Sequence, residues 1–261
     1  MERDSKKESD YYSSILKDRL SKGKLTEEPY NLLMNEYPFV PSCFKDLLEN
    51  QVFPKTREIM HEMKEDPLHF PDSTDHQTLN LLFTMIILSK STKILQLGTW
   101  MGFSGLVILD ALSKSDGEGN KMFVTVDPND LQHSKAMNFF DKAGFKKLYQ
   151  LVTFASESSE AENSTIKYSP YDVIYIDSAH NDVQIIKELE IYFKMLRNGG
   201  LLICHDSGIE FNGLPNSSVR KGLKEFIKKN HVEGIFFDKD GKKGWHFTGA
   251  FLGKKYDPLR G

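Results

Sequence analysis

The chain has 261 residues with 34 basic and 37 acidic side chains, a formal charge of −3 at neutral pH. That balance gives no electrostatic reason to expect nucleic acid or an anionic membrane as a partner. The longest apolar run, residues 81–88 with Thr84 inside it, is far short of the roughly 20 residues that span a bilayer. The charged residues 1–10 do not read as a signal peptide, and two cysteines, Cys43 and Cys204, fit reduced thiols in a cytoplasmic protein better than a disulfide framework. A secreted mini-protein, an integral membrane protein and a basic nucleic-acid binder are thereby excluded. At roughly 150 residues per domain, the length predicts one large α/β domain with an appendage.

Residues 1–72 form that appendage, a helical extension rich in Lys, Glu and Asp. Tyr11, Ile15 and Leu20 mark one short amphipathic helix, and Phe44, Leu47 and Leu48 mark another. Pro54 opens a third through Ile59, Met60 and Met63, which Pro67 stops. Residues 68–72 read as a linker. The main domain, 73–261, begins with a helix capped by Ser73, Thr74 or Asp75, whose face carries Leu79, Leu82, Phe83, Ile86 and Ile87.

Short β-branched runs then alternate with helical ones. Strands are expected at 93–97, 122–127, 148–154, 173–177 and 201–204, and helices at 105–112, 132–143 and 183–196. The Asn198-Gly199-Gly200 turn reads as the stop of the last of these helices. A helix follows at 219–229, then apolar runs at 234–238 and 245–252, with Lys239-Asp240-Gly241-Lys242-Lys243 as a hairpin turn between them. The pattern predicts a doubly wound, mostly parallel α/β sheet ending in an antiparallel pair.

In such a sheet ligands bind beyond the carboxyl ends of the strands. The first strand runs into Leu97-Gly98-Thr99-Trp100-Met101-Gly102-Phe103-Ser104-Gly105. Its glycine spacing is neither a nicotinamide fingerprint nor a phosphate loop, yet it lets backbone pass close to a ligand, and Ser104 can cap the next helix. The second strand ends in Asp127, an acid suited to the two hydroxyls of a ribose. Asp177 ends the fourth strand with His180 three residues on, and His205-Asp206 ends the fifth, so two carboxylates and two imidazoles gather beside the cleft. A divalent cation explains such a gathering, since unpaired carboxylates repel one another; an Asp177 that merely caps the following helix is the simpler alternative. His133, His231 and His246 read as ordinary. Residues 209–218, with Phe211, Gly213 and Pro215, make a long loop after Asp206 that suits either a lid over a substrate or a plain surface connection.

The glycine loop resembles the first motif of class I S-adenosylmethionine-dependent methyltransferases, and more narrowly the cation-dependent catechol and caffeoyl-CoA type of small-molecule O-methyltransferase. The stretch Tyr171-Asp-Val-Ile-Tyr-Ile-Asp177-Ser-Ala-His180, with Leu196-Arg-Asn-Gly-Gly-Leu-Leu-Ile-Cys-His205-Asp206, is similar to the bacterial sugar and antibiotic O-methyltransferases and the cephalosporin-hydroxylase-like enzymes. The resemblance spans about residues 73–255. It implies a Rossmann-like fold of seven strands with the last antiparallel. It also implies that Gly98, Thr99, Trp100, Gly102, Ser104, Asp127, Ser156 and Asp177 hold S-adenosyl-L-methionine, Gly98 and Gly102 packing under its methionine part. Where many relatives carry Gly-Asp-Ser after the third strand, this chain has Phe154-Ala155-Ser156, which leaves the adenine to Ser156.

The metal set implied is Asp177, His205 and Asp206, for Mg or Mn, the histidine favouring softer ions than magnesium. His180, with Asp177, stands where a catalytic base is expected. The expected activity is methyl transfer to a hydroxyl of a small polar acceptor, a sugar or secondary metabolite. A non-catalytic cofactor-binding scaffold, or a hydroxylase-like or N- or C-methylating enzyme of the same fold, is the alternative. Residues 1–72 are the expected source of acceptor specificity or of a homodimer contact.

Overall fold

A computed structural model describes residues 52–65, 74–208, 210–211, 214–215, 218–238 and 249–257. The first two expected helices, the 68–72 linker and the 239–243 turn lie outside these residues. Helix α1, Pro54–Glu65, is the third expected helix, and its Ile59, Met60 and Met63 are buried in the same apolar cluster as helices α2, His76–Leu88, and α3, Phe103–Lys114.

Seven strands form one sheet: β1 Lys93–Leu97, β2 Met122–Val126, β3 Tyr149–Val152, β4 Tyr171–Ile176, β5 Leu196–His205, β6 Val232–Phe237 and β7 Ala250–Lys255. Their order is β3-β2-β1-β4-β5-β7-β6. The first five pair in parallel, and β7 runs antiparallel to both β5 and β6. Helices α4 Asp130–Lys142, α5 Ser159–Ile166, α6 Asp182–Tyr192 and α7 Ser218–Lys229 complete the layers, and a two-residue ladder joins Glu210–Phe211 to Leu214–Pro215. One apolar cluster lies on each face of the sheet. Continuous burial of Leu95, Leu97, Val124, Val126, Ile174 and Ile176 is what a parallel sheet covered on both faces requires. No described helix is long and apolar enough to cross a membrane.

Two departures from expectation have identifiable reasons. Asn198-Gly199-Gly200 does not stop a helix. Helix α6 ends at Tyr192, a 3-10 turn covers Phe193–Met195, and β5 already begins at Leu196, paired with Tyr171. The Asn-Gly-Gly segment is absorbed where the β4–β5 register shifts, with Gly199 at φ +75°, a β-bulge rather than a cap. Helix α5 was not expected because it is short and polar; only Ala161 and Thr165 are buried along it, and it is nucleated by its Ser158 cap, whose hydroxyl accepts from the Ala161 N–H.

The strand order reverses at β1, whose neighbours are β2 and β4, and this opens the crevice in which open α/β sheets bind ligands. Gly98 closes its floor. Its N–H bonds the Val126 carbonyl while the Asp177 N–H bonds the Leu97 carbonyl, drawing the β1 and β4 ends together until a Cβ on Gly98 would lie 1.9 Å from the Asp177 carbonyl oxygen. The residue also sits at φ +87°. Gly98→Ala is therefore expected to destabilise the protein by about 3 kcal/mol or more. Gly119→Ala, at φ +108° with open space around it, should cost only about 1 kcal/mol, the price of the backbone conformation alone. Urea unfolding of both variants measures the difference.

Candidate active site

Where β1 and β2 end in the crevice, the Asp127 carboxylate organises the glycine loop. Its Oδ2 accepts from the backbone N–H groups of Thr99, at 3.1 Å, and Trp100, at 3.0 Å, and its Oδ1 accepts from Asn129 N–H at 3.0 Å. With about four lone-pair sites on a carboxylate, capacity remains for a ribose hydroxyl. Trp100 is held at φ +46° and is 40% exposed, a conformation that non-glycine residues adopt only when their surroundings impose it.

Gly102 rather than Ser104 caps α3, at φ +89° and without a side-chain bond. Because the helix starts at Phe103, Ser104 falls inside its first turn, where its buried hydroxyl accepts from Gln96 Nε2 at 2.8 Å. The space a Cβ on Gly102 would fill is taken by Ala136 and Phe140 of α4, so this glycine permits helix packing. Ser156 lies four residues past the end of β3 with its hydroxyl turned inward, donating to Glu188 Oε1 at 2.5 Å.

Glu188 is a functional-site residue that the sequence reading missed. It is fully buried on α6 and also meets the Ser178 hydroxyl, at 2.7 and 2.6 Å, tying the segments after β3 and β4 together from below. Burial raises its carboxyl above the ordinary glutamate value, against the hydrogen bonds of Ser156, Ser178 and Gln184. The signal that could have found it is its place in the inward stripe Ile185, Glu188, Leu189 and Tyr192.

The acid and histidine cluster assembles where β4 and β5 end. Asp177 Oδ2 accepts from the hydroxyls of Tyr175, at 2.7 Å, and Thr74, at 2.8 Å. Its Oδ1 faces His205 Nδ1 at 2.9 Å, and His205 Nε2 faces Asp75 Oδ2 at 2.8 Å. Asp75 simultaneously caps α2, accepting from the Thr78 N–H at 2.9 Å. Asp206 Oδ1 lies 3.5 Å from His205 Nδ1. Burial disfavours a charged ring at His205, but the carboxylates of Asp177 and Asp206 and the bonds to Asp177 and Asp75 outweigh it and hold the pKa well above the ordinary histidine value. Burial likewise works against the Asp177 carboxylate, and the charge of His205 with the hydrogen bonds of His205, Tyr175 and Thr74 carries its pKa well below the usual range. His205 is thus an imidazolium with a carboxylate at each nitrogen.

This changes the metal set. The converging donors are Asp177, His180 and Asp206, whose ligand atoms lie within 4.8 Å of one another; His205, whose ring nitrogens already face Asp177 and Asp75, is not among them. His180 Nδ1 stands 3.2 Å from Asp206 Oδ2, its side chain half exposed. Asp206 itself holds φ +53°, a strained conformation that turns its carboxylate into the cluster. Asn181 caps α6, accepting from Gln184 N–H, so Asp177 is released from the capping role.

Residues 95–207 match a family described as a methyltransferase domain. The fold is shared with the Bacillus cereus O-methyltransferase in complex with S-adenosylhomocysteine: TM-score 0.62, 15% identity, 82% of this chain and 97% of that one. It is shared with TomG from Streptomyces achromogenes, an O-methyltransferase of tomaymycin synthesis in complex with S-adenosylmethionine, at TM-score 0.63, 16% identity, 83% and 96%. A third is the S-adenosylhomocysteine-bound Podospora anserina methyltransferase PaMTH1, at TM-score 0.61, 14% identity, 83% and 94%.

Removing one member of a buried ion pair leaves the other uncompensated. His205→Ala is therefore expected to destabilise the fold by about 3–5 kcal/mol, while Asp75→Asn, which keeps a helix cap, should cost less than half of that. Chemical denaturation of the two variants measures both.

Proposed function

Residues 95–207 match a methyltransferase-domain family, and on that basis we propose that the chain is an S-adenosylmethionine-dependent enzyme that methylates a hydroxyl of a small polar acceptor, a sugar or secondary metabolite. The observation that carries this reading is one juxtaposition: a glycine loop anchored on Asp127 beside a cluster in which three carboxylates, Asp75, Asp177 and Asp206, share one imidazolium. When bound, S-adenosylmethionine would supply an electrophilic sulfonium methyl to an acceptor oxygen attacking in line, the carbon–sulfur bond breaking and S-adenosylhomocysteine leaving.

The chain's own residues fit that chemistry. Asp127 has hydrogen-bond capacity left for one ribose hydroxyl. The cluster's excess negative charge favours a cation at the strand ends. An acceptor hydroxyl must lose its proton as it attacks, and His180 is placed to take it. With its Nδ1 turned to Asp206, Asp206 orients the ring and supports the imidazolium that forms. The acceptor oxygen is then held and stripped of water beside the cluster.

A second reading rests on the convergence of Asp177, His180 and Asp206. Two carboxylates and an imidazole suit manganese, iron or zinc better than magnesium. A bound divalent ion would lower the pKa of a coordinated acceptor hydroxyl, with His180 then a ligand rather than the base. Specificity for the acceptor falls to residues 1–72, a segment that also suits a homodimer contact.

Calorimetric titration with S-adenosylhomocysteine is expected to show one-site binding that Asp127→Ala weakens at least tenfold, a charge-assisted contact and the anchor of the loop amides being lost together. Absence of binding by the wild type overturns the reading, and binding without turnover on any hydroxyl acceptor would mark a scaffold instead. His180→Ala should lower kcat by about 10²–10⁴-fold with the cofactor KM unchanged. Chelation that leaves wild-type turnover intact excludes the cation-assisted version.

A further inference from the structure

His133, on the first turn of α4, is 3% exposed, and both of its ring nitrogens meet hydroxyls. Nε2 is 3.0 Å from Thr99 Oγ1 and Nδ1 is 3.0 Å from Thr153 Oγ1. Thr99 Oγ1 in turn meets Thr125 Oγ1 at 2.6 Å, and the Thr99 N–H donates to Asp127. A single imidazole thus ties the loop after β1, the interior of β2 and the segment after β3, the three segments that border the cofactor edge. Burial keeps the pKa of the ring below the ordinary histidine value, against the charges of Asp127 and Asp130, so at neutral pH it donates from one nitrogen and accepts at the other. No aliphatic or aromatic side chain of that size can bridge two hydroxyls on opposite sides, and the bridge reaches no catalytic atom.

We propose that His133 is a positioning residue for the nucleoside half of the cofactor: it fixes the distance between the glycine loop and the segment after β3, and through Thr99 it fixes the loop that Asp127 anchors. The proposal rests on the reading that S-adenosylmethionine lies across these strand ends. It differs from a packing role in what it predicts. A core residue, once replaced, lowers stability and leaves the affinity of the folded fraction alone; a positioning residue changes affinity for the ligand whose site it shapes.

The test uses the full chain and two probes, S-adenosylhomocysteine and 5′-methylthioadenosine, which lacks the amino-acid half. Titration calorimetry is run on the wild type, His133→Phe, His133→Gln, Thr153→Val and the His133→Phe/Thr153→Val pair, well below the melting temperature of each. The expected result is a roughly tenfold rise in Kd for both probes in His133→Phe, from hydrogen bonds lost on each side of the ring. Partial recovery is expected in His133→Gln, which keeps a donor and an acceptor. A smaller rise in Thr153→Val should add little in the double variant, because the ring and the hydroxyl act as one unit.

Unchanged Kd values in His133→Phe, or a Thr153→Val effect that adds in full, overturn the inference while leaving the function reading intact. A wild type that binds neither probe overturns that reading itself, and this inference with it. Should His133→Phe not fold, Thr153→Val decides alone: binding of both probes at wild-type affinity overturns the proposal, and a parallel weakening of both supports it.

Discussion

Three carboxylates meet where β4 and β5 end, in a place from which water is nearly excluded, and one imidazole lies among them. Asp75, Asp177 and Asp206 have side chains that are 6, 15 and 5% exposed, and His205 is 9% exposed. Asp177 and Asp206 bring carboxylate oxygens within 4.8 Å of each other, and in a low-dielectric environment the repulsion among such acids is large. Their coexistence depends on His205 keeping its proton and on hydroxyl donors from Tyr175 and Thr74. The arrangement also recruits α2: its Asp75 cap is both the start of a helix and the outer carboxylate of the pair, so the helix cannot move without disturbing the cluster. What is left after this neutralisation is a site with net negative charge at the mouth of a parallel sheet, an environment suited to a sulfonium, a metal cation or both.

Beside it lies a site built on different principles. The edge formed by the ends of β1, β2 and β3 uses hydrogen bonds to backbone and backbone strain: Asp127 pins the loop amides, Gly98 lets β1 and β4 close on each other, Trp100 is held at positive φ, and His133 spans the threonines below. Glu188 performs a parallel service from α6, joining the segments after β3 and β4. The two edges meet at Asp177, whose backbone carbonyl faces Gly98 and whose carboxylate belongs to the cluster. Two of the three non-glycine residues at positive φ among the described residues, Trp100 and Asp206, lie beside it, the third being Lys90 in the turn after α2.

The sheet was legible because its strands are short β-branched runs separated by helical periods, and three of those runs lead straight into polar residues. Asp127, Asp177, His205 and Asp206 stand out in that pattern without any structure. What the pattern hides is partnership across distance. Asp75 and His205 are 130 positions apart, and nothing in the local spacing of either predicts the other, so His205 reads as a metal ligand until both of its nitrogens are located. His133 and Glu188 were hidden for another reason: each is a polar residue in a helix. Their signal is helical register, since His133 shares the buried face of Ala136, Phe139 and Phe140, and Glu188 shares that of Ile185, Leu189 and Tyr192. A polar side chain in an inward stripe must find partners in the interior. The Asn-Gly-Gly segment misled because the same glycines serve a helix stop and a β-bulge equally well.

The central claim is that the charged cluster and the cofactor edge work together to place a methyl group on oxygen. The most direct measurement is isotopic: wild-type protein, S-adenosylmethionine labelled on its methyl group, and a panel of sugars and hydroxylated secondary metabolites, with products identified by mass spectrometry and the labelled position by NMR. The account predicts a labelled methyl ether on at least one acceptor. Label found on nitrogen or carbon, or cofactor bound with no label transferred to any hydroxyl, would contradict it.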